Sequence, residues 1–367
     1  MDWYTITNAE TLDTPALAIY PDRVRKNIDT LVRTIDNVTR LRPHIKTHKS
    51  PEVAKWMMAA GINKFKCATI AEAEMLATVG APDVLLAYQP VGPKANRLAE
   101  LVHRFPGTRF SCLVDHADVA RHINRVFGEH GQSIEIYIDL NVGMNRTGIV
   151  PTLALALYEA CMPLKHLTVV GLHAYDGHLR DPDMKIRKAQ CDEGFALVTT
   201  LQQAIEKKHS KRLVIVAGGT PSYSIHSQRP EVECSPGTYI YWDKNYEQTL
   251  QEQHYLHAAL VVTRVVSIPS PGTLCVDLGH KAIASENPLD KRVFFLNAPD
   301  LKPTGHSEEH MVFAIPEGAE YNVGDILYGI PFHVCPTVAL HDQPAVIEDN
   351  QVKMYWRTLA RNRKITV

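Results

Sequence analysis

No stretch of this sequence approaches the ~18 consecutive apolar residues that a membrane-spanning helix requires, so a place in the bilayer is not expected. The opening Met1-Asp2-Trp3 starts no secretory leader. An excess of one charge is missing as well. The 39 Lys and Arg stand against 40 Asp and Glu, a net charge of −1 with His neutral. So weak a field collects neither nucleic acid nor anionic lipid. Cysteine is scattered: the seven, at positions 67, 112, 161, 191, 234, 275 and 335, include no CxxC pair. An odd, dispersed set points to free thiols in a reducing cytoplasm and excludes a disulfide framework. Internal repeats, low-complexity runs and Pro/Ser linkers are absent too, so any two domains are expected to share a tight interface.

What is present suits a soluble globular protein, with 45% apolar and 22% charged residues over 367 positions. That length accommodates two domains. After an expected strand at 16–20 and an amphipathic helix at 21–36, a rhythm sets in. Short β-rich runs at 41–46, 64–69, 84–88, 109–114, 134–140, 168–175, 213–219 and 237–242 alternate with helically spaced segments at 70–79, 94–103, 117–127, 152–161 and 184–207. Eight strands alternating with helices predict an α/β fold, a (β/α)8 TIM-like barrel over 15–244. Past residue 245 no helix of useful length separates the predicted strands, at 261–268, 273–278, 292–296, 311–315, 326–330, 337–340 and 352–356. Residues 245–367, with 1–14, therefore read as a mostly-β domain.

The most chemically loaded stretch is 41–50, with Arg42, His44, Lys46, His48 and Lys49 and no carboxylate among them. On an extended segment His44, Lys46 and His48 would share one face. A lysine among cations loses part of its preference for the charged form, which makes its amine a usable nucleophile. The alternative is a solvated basic strand end. In a barrel, sites form at the C-terminal ends of the strands, and phosphate sits on the seventh and eighth loops. Lys46 ends the first predicted strand, and Asn141-Val-Gly-Met-Asn-Arg146-Thr-Gly148 follows the fifth. His173-Ala-Tyr175-Asp-Gly-His178 ends the sixth, Ala217-Gly218-Gly219-Thr220 follows the seventh, and Ser235-Pro236-Gly237-Thr238-Tyr239 stands at the eighth. The glycine turns offer bare amides and a hydroxyl to a phosphate group.

Pro43-His-Ile-Lys-Thr-His-Lys49, Gly-Met-Asn-Arg146-Thr-Gly, Tyr175-Asp-Gly-His178, Ala217-Gly-Gly-Thr220, Ser-Pro-Gly-Thr238-Tyr and His333-Val-Cys-Pro-Thr337 together resemble the fold-type III pyridoxal phosphate (PLP) enzymes, the alanine racemase fold. Within it, the chain is most similar to the D-threonine aldolase and D-serine dehydratase branch. The resemblance implies a PLP- and metal-dependent lyase of D-β-hydroxy-α-amino acids, a cytoplasmic homodimer. Lys46 would be the Schiff-base lysine and α-proton base, and Arg146 would contact the phenolic oxygen of PLP. Tyr175 would lie at the pyridine ring, and Gly218, Gly219, Thr220, Gly237 and Thr238, with Tyr239 beside them, would hold the phosphate. Ser235 departs from the racemase pattern, which has an arginine there for the pyridine nitrogen.

His333 and Cys335 stand two apart, so on an extended segment both donors would project to one side. Nitrogen with sulfur favours Zn²⁺, and the resemblance implies a catalytic metal there, with Mn²⁺ or Mg²⁺ as alternatives. Such a metal would act on the β-hydroxyl. The His-x-Cys pair favours elimination to a keto acid and ammonia, whereas Tyr-Asp-Gly-His and Ala-Gly-Gly-Thr resemble aldolases, which release glycine and an aldehyde. Two alternatives follow from the shared fold: an amino-acid racemase and a non-catalytic PLP-binding protein. The β-domain counts against the second. His280, where racemases place a second catalytic tyrosine, counts against the first. Glu308, Glu309 and His310 are either an outer shell for the metal or a surface turn.

Overall fold

The computed structural model describes residues 2–367, and the chain divides into two compact units. Leu31–Lys46, Pro51–Gly237 and Asn362–Val367 form one; the chain up to Thr30, Thr47–Ser50 and Thr238–Arg361 form the other. Strand β1 (Ala16–Ile19) and helices α1 (Pro21–Arg33) and α2 (Pro51–Ala59) come first. An alternation follows: β2 (Lys64–Cys67), α3 (Ile70–Thr78), β3 (Asp83–Leu86), α4 (Pro93–Arg104), β4 (Arg109–Val114) and α5 (Ala117–Glu129). It runs on through β5 (Ile134–Leu140), α6 (Pro151–Cys161), β6 (Leu167–Ala174), α7 (Met184–His209), β7 (Val214–Ala217), α8 (Tyr223–His226) and β8 (Val232–Cys234).

Strands β2 to β8 pair in parallel and in sequence order. Residues 41–44 join the two ends of that sheet, Leu41 bridging Cys234 and His44 bridging Lys66. The result is the expected barrel, with one irregular stave. Strands buried on both faces need continuous apolar runs, and β3 is buried at every position after its first. The helices need only one apolar face. Helix α5 buries Ala120, Ile123, Val126 and Phe127, at spacings of three and four that line a single stripe. Thr69 caps α3 by accepting the Glu72 amide at 3.0 Å.

The second unit adds helix α9 (Lys244–Thr249) and strands β9 (Ala259–Ser270), β10 (Thr273–Val276), β11 (Val293–Phe295), β12 (Lys302–His306), β13 (Met311–Ala314) and β14 (Ile326–Pro331). Helix α10 (Val334–Leu340), β15 (Ala345–Glu348) and β16 (Gln351–Tyr355) complete it. These strands and β1 make a nine-stranded sheet in the order β12-β13-β10-β9-β1-β15-β16, with β14 on β9 and β11 on β14. All pairs are antiparallel except β1 with β15. Its core gathers Ile6, Leu12, Tyr20, Leu260, Val262, Tyr328 and Ile347. Among the described residues, no helix is long and apolar enough to cross a membrane.

Three local expectations are corrected. The first strand does not run through 46. Pro43 accepts the Lys66 amide but has none of its own to donate, and Ile45–Thr47 tightens into a 3₁₀ turn. The eighth strand is β8, not 237–242. Pro236 interrupts the ladder, and the Tyr241 and Trp242 amides turn back to the Thr238 carbonyl. Residues 337–340 are helical. Pro336 sits in the first turn, where its missing amide costs nothing, and the Thr337 hydroxyl donates to the His333 carbonyl at 2.8 Å. Strand β1 pairs with β9 and β15, and the chain changes unit at Thr238.

Candidate active site

Arg42 does not contribute an unbalanced charge to the 41–50 stretch. It is buried, with Nε 2.7 Å from Glu233 and Nη1 2.5 Å from Asp83. Burial works against its charge, but the two carboxylates prevail and raise its pKa. The histidines do not flank Lys46 as an extended face either. His44 Nδ1 accepts the Lys46 amide at 3.2 Å, and His48 Nδ1 accepts the Ser50 amide at 3.1 Å. Burial holds His48 down at about 3 against the Ser50 bond, with Lys49 adding to the effect, so it is a neutral backbone clamp. Lys46, by contrast, directs its amine at an aromatic ring.

That amine points toward Tyr175, the first residue after β6, with Nζ 5.8 Å from the ring centre. Two more basic side chains converge on the same ring. Arg146, from the loop after β5, has Cζ at 5.2 Å, and Lys66, from the middle of β2, has Nζ at 5.4 Å. Two amines and a guanidinium around one aromatic ring make a receptor for an anionic, planar guest. The loop carrying Arg146 turns at Gly148, whose φ of 96° and close approach to the Asn141 amide admit no side chain.

The glycine turn after β7 packs against the same ring. A Cβ on Gly219 would lie 2.9 Å from Tyr175 Cε2, and one on Gly218 would lie 2.7 Å from both His226 and Ser222. Glycine is thus required by crowding, and at Gly218 by a φ of 73° as well. Thr220 Oγ1 accepts the Gly237 amide at 3.1 Å, which ties the seventh and eighth loops together. Below the turn, Asp176 accepts from Ser222 Oγ at 2.6 Å and His226 Nε2 at 2.8 Å, and Ser222 accepts the Gly219 amide at 3.3 Å. Burial raises the Asp176 pKa, but bonds from His226, Ser222 and Cys191 outweigh it and keep the carboxylate ionised. Ser235 Oγ is buried without a hydrogen-bond partner.

Thr238 and Tyr239 belong to the other unit, in a buried 3₁₀ turn. There Thr238 Oγ1 lies 3.7 Å from Cys335 Sγ, while Thr47, the residue after Lys46, has Oγ1 at 3.1 Å from the same sulfur. His333 caps α10 and Cys335 lies in its first turn, so a helix start, not a strand, brings the two together. His333 Nδ1 contacts Glu286. Burial opposes a charged imidazole, yet Cys335, Glu286 and Asp243 hold it up at about 9. Asp243, pushed up to about 6 by burial, caps α9. A nitrogen and a sulfur amid carboxyls are a donor set that fits a divalent cation. Glu308 and Glu309 instead pair with Lys281 on the surface, at 2.9 and 2.8 Å. The ring of His280 stacks on His306 at 4.1 Å.

A family model described as the alanine racemase N-terminal domain matches residues 19–245, more than half of the chain. The chain belongs to that family. A second model, described as a putative serine dehydratase domain, matches residues 258–347 of this alanine racemase family member. The chain is 27% identical to a D-threonine aldolase of Arthrobacter sp. over 95% of its own length and 93% of the relative's. It is 26% identical to D-threo-3-hydroxyaspartate dehydratase of Delftia sp., over 90% and 92%. The crystal structure of D-threonine aldolase from Filomicrobium marinum superposes with a TM-score of 0.88, at 28% identity and 98% coverage of both chains.

Sequence reasoning missed part of what surrounds Tyr175 in this family member. Lys66 reads as an ordinary strand residue, yet it is 2% exposed. Its signal is a lysine between Phe65 and Cys67 in a strand with both faces covered, since lysine is almost never buried without a partner. Asp176, Cys191 and His226 also escape notice, being distant in sequence. Among the described residues they are the one group of three side chains that could hold a metal. Their donor atoms bond one another, with Arg229 on the remaining His226 nitrogen, so they brace the glycine turn.

Proposed function

We propose that the chain is a PLP- and divalent-metal-dependent lyase of D-β-hydroxy-α-amino acids, and that it cleaves them as an aldolase. The observation that carries this reading is the end-to-end likeness to D-threonine aldolase, at a TM-score of 0.88. The residues around Tyr175 fit the cofactor: an amine for its aldehyde, cations for its anionic groups, and a side-chain-free turn for its phosphate. When bound, PLP supplies an electron sink that weakens bonds at the amino acid's α-carbon. Lys46 would hold it through its amine and, when free, would give the α-carbon its proton after Cα–Cβ cleavage, or take the α-proton if the hydroxyl were eliminated instead. Arg146 would face the phenolic oxygen, Tyr175 would lie at the ring, and Gly218, Gly219, Thr220, Gly237, Thr238 and Tyr239 would hold the phosphate.

His333 and Cys335 would hold the metal, zinc by preference, and it would supply a Lewis acid for the β-hydroxyl. The acidic neighbours Glu286 and Asp243 support a cation there. The enzyme is read as a cytoplasmic homodimer. A second outcome, elimination of the hydroxyl, is favoured by the His-x-Cys pair and by the likeness to a dehydratase. Product analysis separates them. With D-threonine the expected products are glycine and acetaldehyde. A keto acid with ammonia from D-threonine or D-serine would establish elimination, and no product from any D-β-hydroxy-α-amino acid would reject both.

The brace below the phosphate turn gives a quantitative expectation. Asp176→Asn removes a charged acceptor from Ser222 and His226, each such bond contributing about 1.5–3 kcal/mol. The dissociation constant for PLP, read by absorbance titration of the apoprotein, is expected to rise roughly ten- to a hundredfold. An unchanged constant would show that the turn does not depend on Asp176.

A further inference from the structure

The buried amine of Lys66 has no role in the scheme above, and its surroundings suggest one. Its Nζ lies 3.4 Å from His173 Nε2, and His173 Nδ1 lies 2.7 Å from Asp139 Oδ1. All three side chains are buried: Lys66 is 2% exposed, His173 4% and Asp139 5%. The carboxylate accepts a hydrogen bond from Nδ1–H, which fixes the imidazole tautomer and leaves Nε2 as an acceptor for a proton on Lys66. The three side chains run across the barrel interior from β5 through β6 to β2, and the lysine end faces the Tyr175 ring that Lys46 also faces.

An amino acid reaches this site as an ammonium ion, and its nitrogen attacks only after losing a proton. We propose that Lys66, with His173 and Asp139 behind it, accepts that proton when the substrate amine exchanges with Lys46. In the step, an N–H bond of the substrate ammonium breaks and its electron pair stays on the substrate nitrogen. An N–H bond forms on the neutral Lys66 amine. The resulting ammonium passes a proton to His173 Nε2, and the imidazolium is held by Asp139. The proton returns by the same route when the product amine leaves. No oxidant or further reactant is needed.

The charge balance around Lys66 suits the role. Burial and the neighbouring Lys46 cation hold it down at about 7, with Arg42 adding to the effect, against the pull of Asp139 and Asp176. His173 is held below its ordinary value by burial and by Lys66, against Asp139, so it is neutral before the proton arrives. Above pH ~7 Lys66 is therefore an acceptor, and below it the acceptor form is lost. A lysine in this position with a purely packing role would need neither the tautomer-fixing carboxylate nor a bond to the imidazole.

The proposal rests on the reading of Lys46 as the cofactor lysine, and the experiment keeps the two apart. Holoenzyme is mixed with glycine, which has no β-hydroxyl and so no bond for the lyase to break, and the first spectral change is followed by stopped flow from pH 6 to 10. In the wild type the rate is expected to level off above pH ~7. In Lys66→Met it is expected to fall roughly a hundredfold at pH ~7 and to climb with pH as the free amino acid loses its own proton. The two profiles then meet in alkali. The same profile in both proteins, or an equal loss at every pH, would overturn the proposal. A wild type giving no spectral change would overturn the reading of Lys46, and the relay with it. Should Lys66→Met not fold, ¹³C NMR of lysine-labelled wild-type apoprotein decides. One lysine titrating near neutrality supports the relay, and none titrating there refutes it.

Discussion

Lys46→Ala is expected to yield a folded protein that lacks the yellow absorbance of PLP near ~420 nm and turns over at least about 10⁴-fold more slowly. The size of the loss follows from geometry. Lys46 stands where a 3₁₀ turn presents its amine to Tyr175, while Arg42 is locked to two carboxylates and His48 is a buried neutral clamp. Neither Arg42 nor His48 can substitute for it. Fold is not expected to suffer, because the side chain is only partly buried and the backbone bonds of the turn do not involve it. Circular dichroism of the variant checks that, and absorbance and turnover check the rest. A variant that stays yellow would mean another amine carries the cofactor.

Removing the metal should leave the yellow colour and abolish most of the activity. A Lewis acid contributes several kcal/mol to a transition state, so chelation is expected to lower kcat by about 10³-fold. Adding back zinc or manganese restores it in the wild type. Cys335→Ala is expected to reproduce the loss without rescue, since a nitrogen alone makes a poor site. Its sulfur lies within 3.1 Å of the Thr47 hydroxyl, so measuring cofactor absorbance alongside metal content distinguishes a lost metal from a disturbed 47–50 segment. Full activity in the chelated protein would leave His333, Glu286 and Cys335 as a structural cluster.

Much of the barrel was legible because its periodicity is strong. Helices α3 to α7 and strands β2 to β7 fall where apolar spacing places them, and strand ends then pointed to Lys46, Arg146, Tyr175 and the Gly218-Gly219 turn. The structure brings Lys46, Arg146 and Gly219 to the Tyr175 ring. What escaped was set by tertiary context. Residues 337–340 look like a strand from Thr337 and Val338, but His333 and Pro336 start a helix there, and that start draws the imidazole and the sulfur together. Residues 237–242 look like a strand until Pro236 breaks the ladder. The partners of Arg42, at Asp83 and Glu233, lie 41 and 191 residues away, so no local pattern announces them. Lys66 hid for the opposite reason: its neighbours are ordinary, and only its burial beside His173 makes it chemical.

One measurement bears most directly on the assignment of the cofactor lysine. Holoenzyme reduced with borohydride, which fixes an imine as a stable amine, is digested and its peptides sequenced by mass spectrometry. The account predicts a single pyridoxyl group on the peptide containing Lys46. The label on Lys66 or on any other lysine, or no label at all, would contradict it.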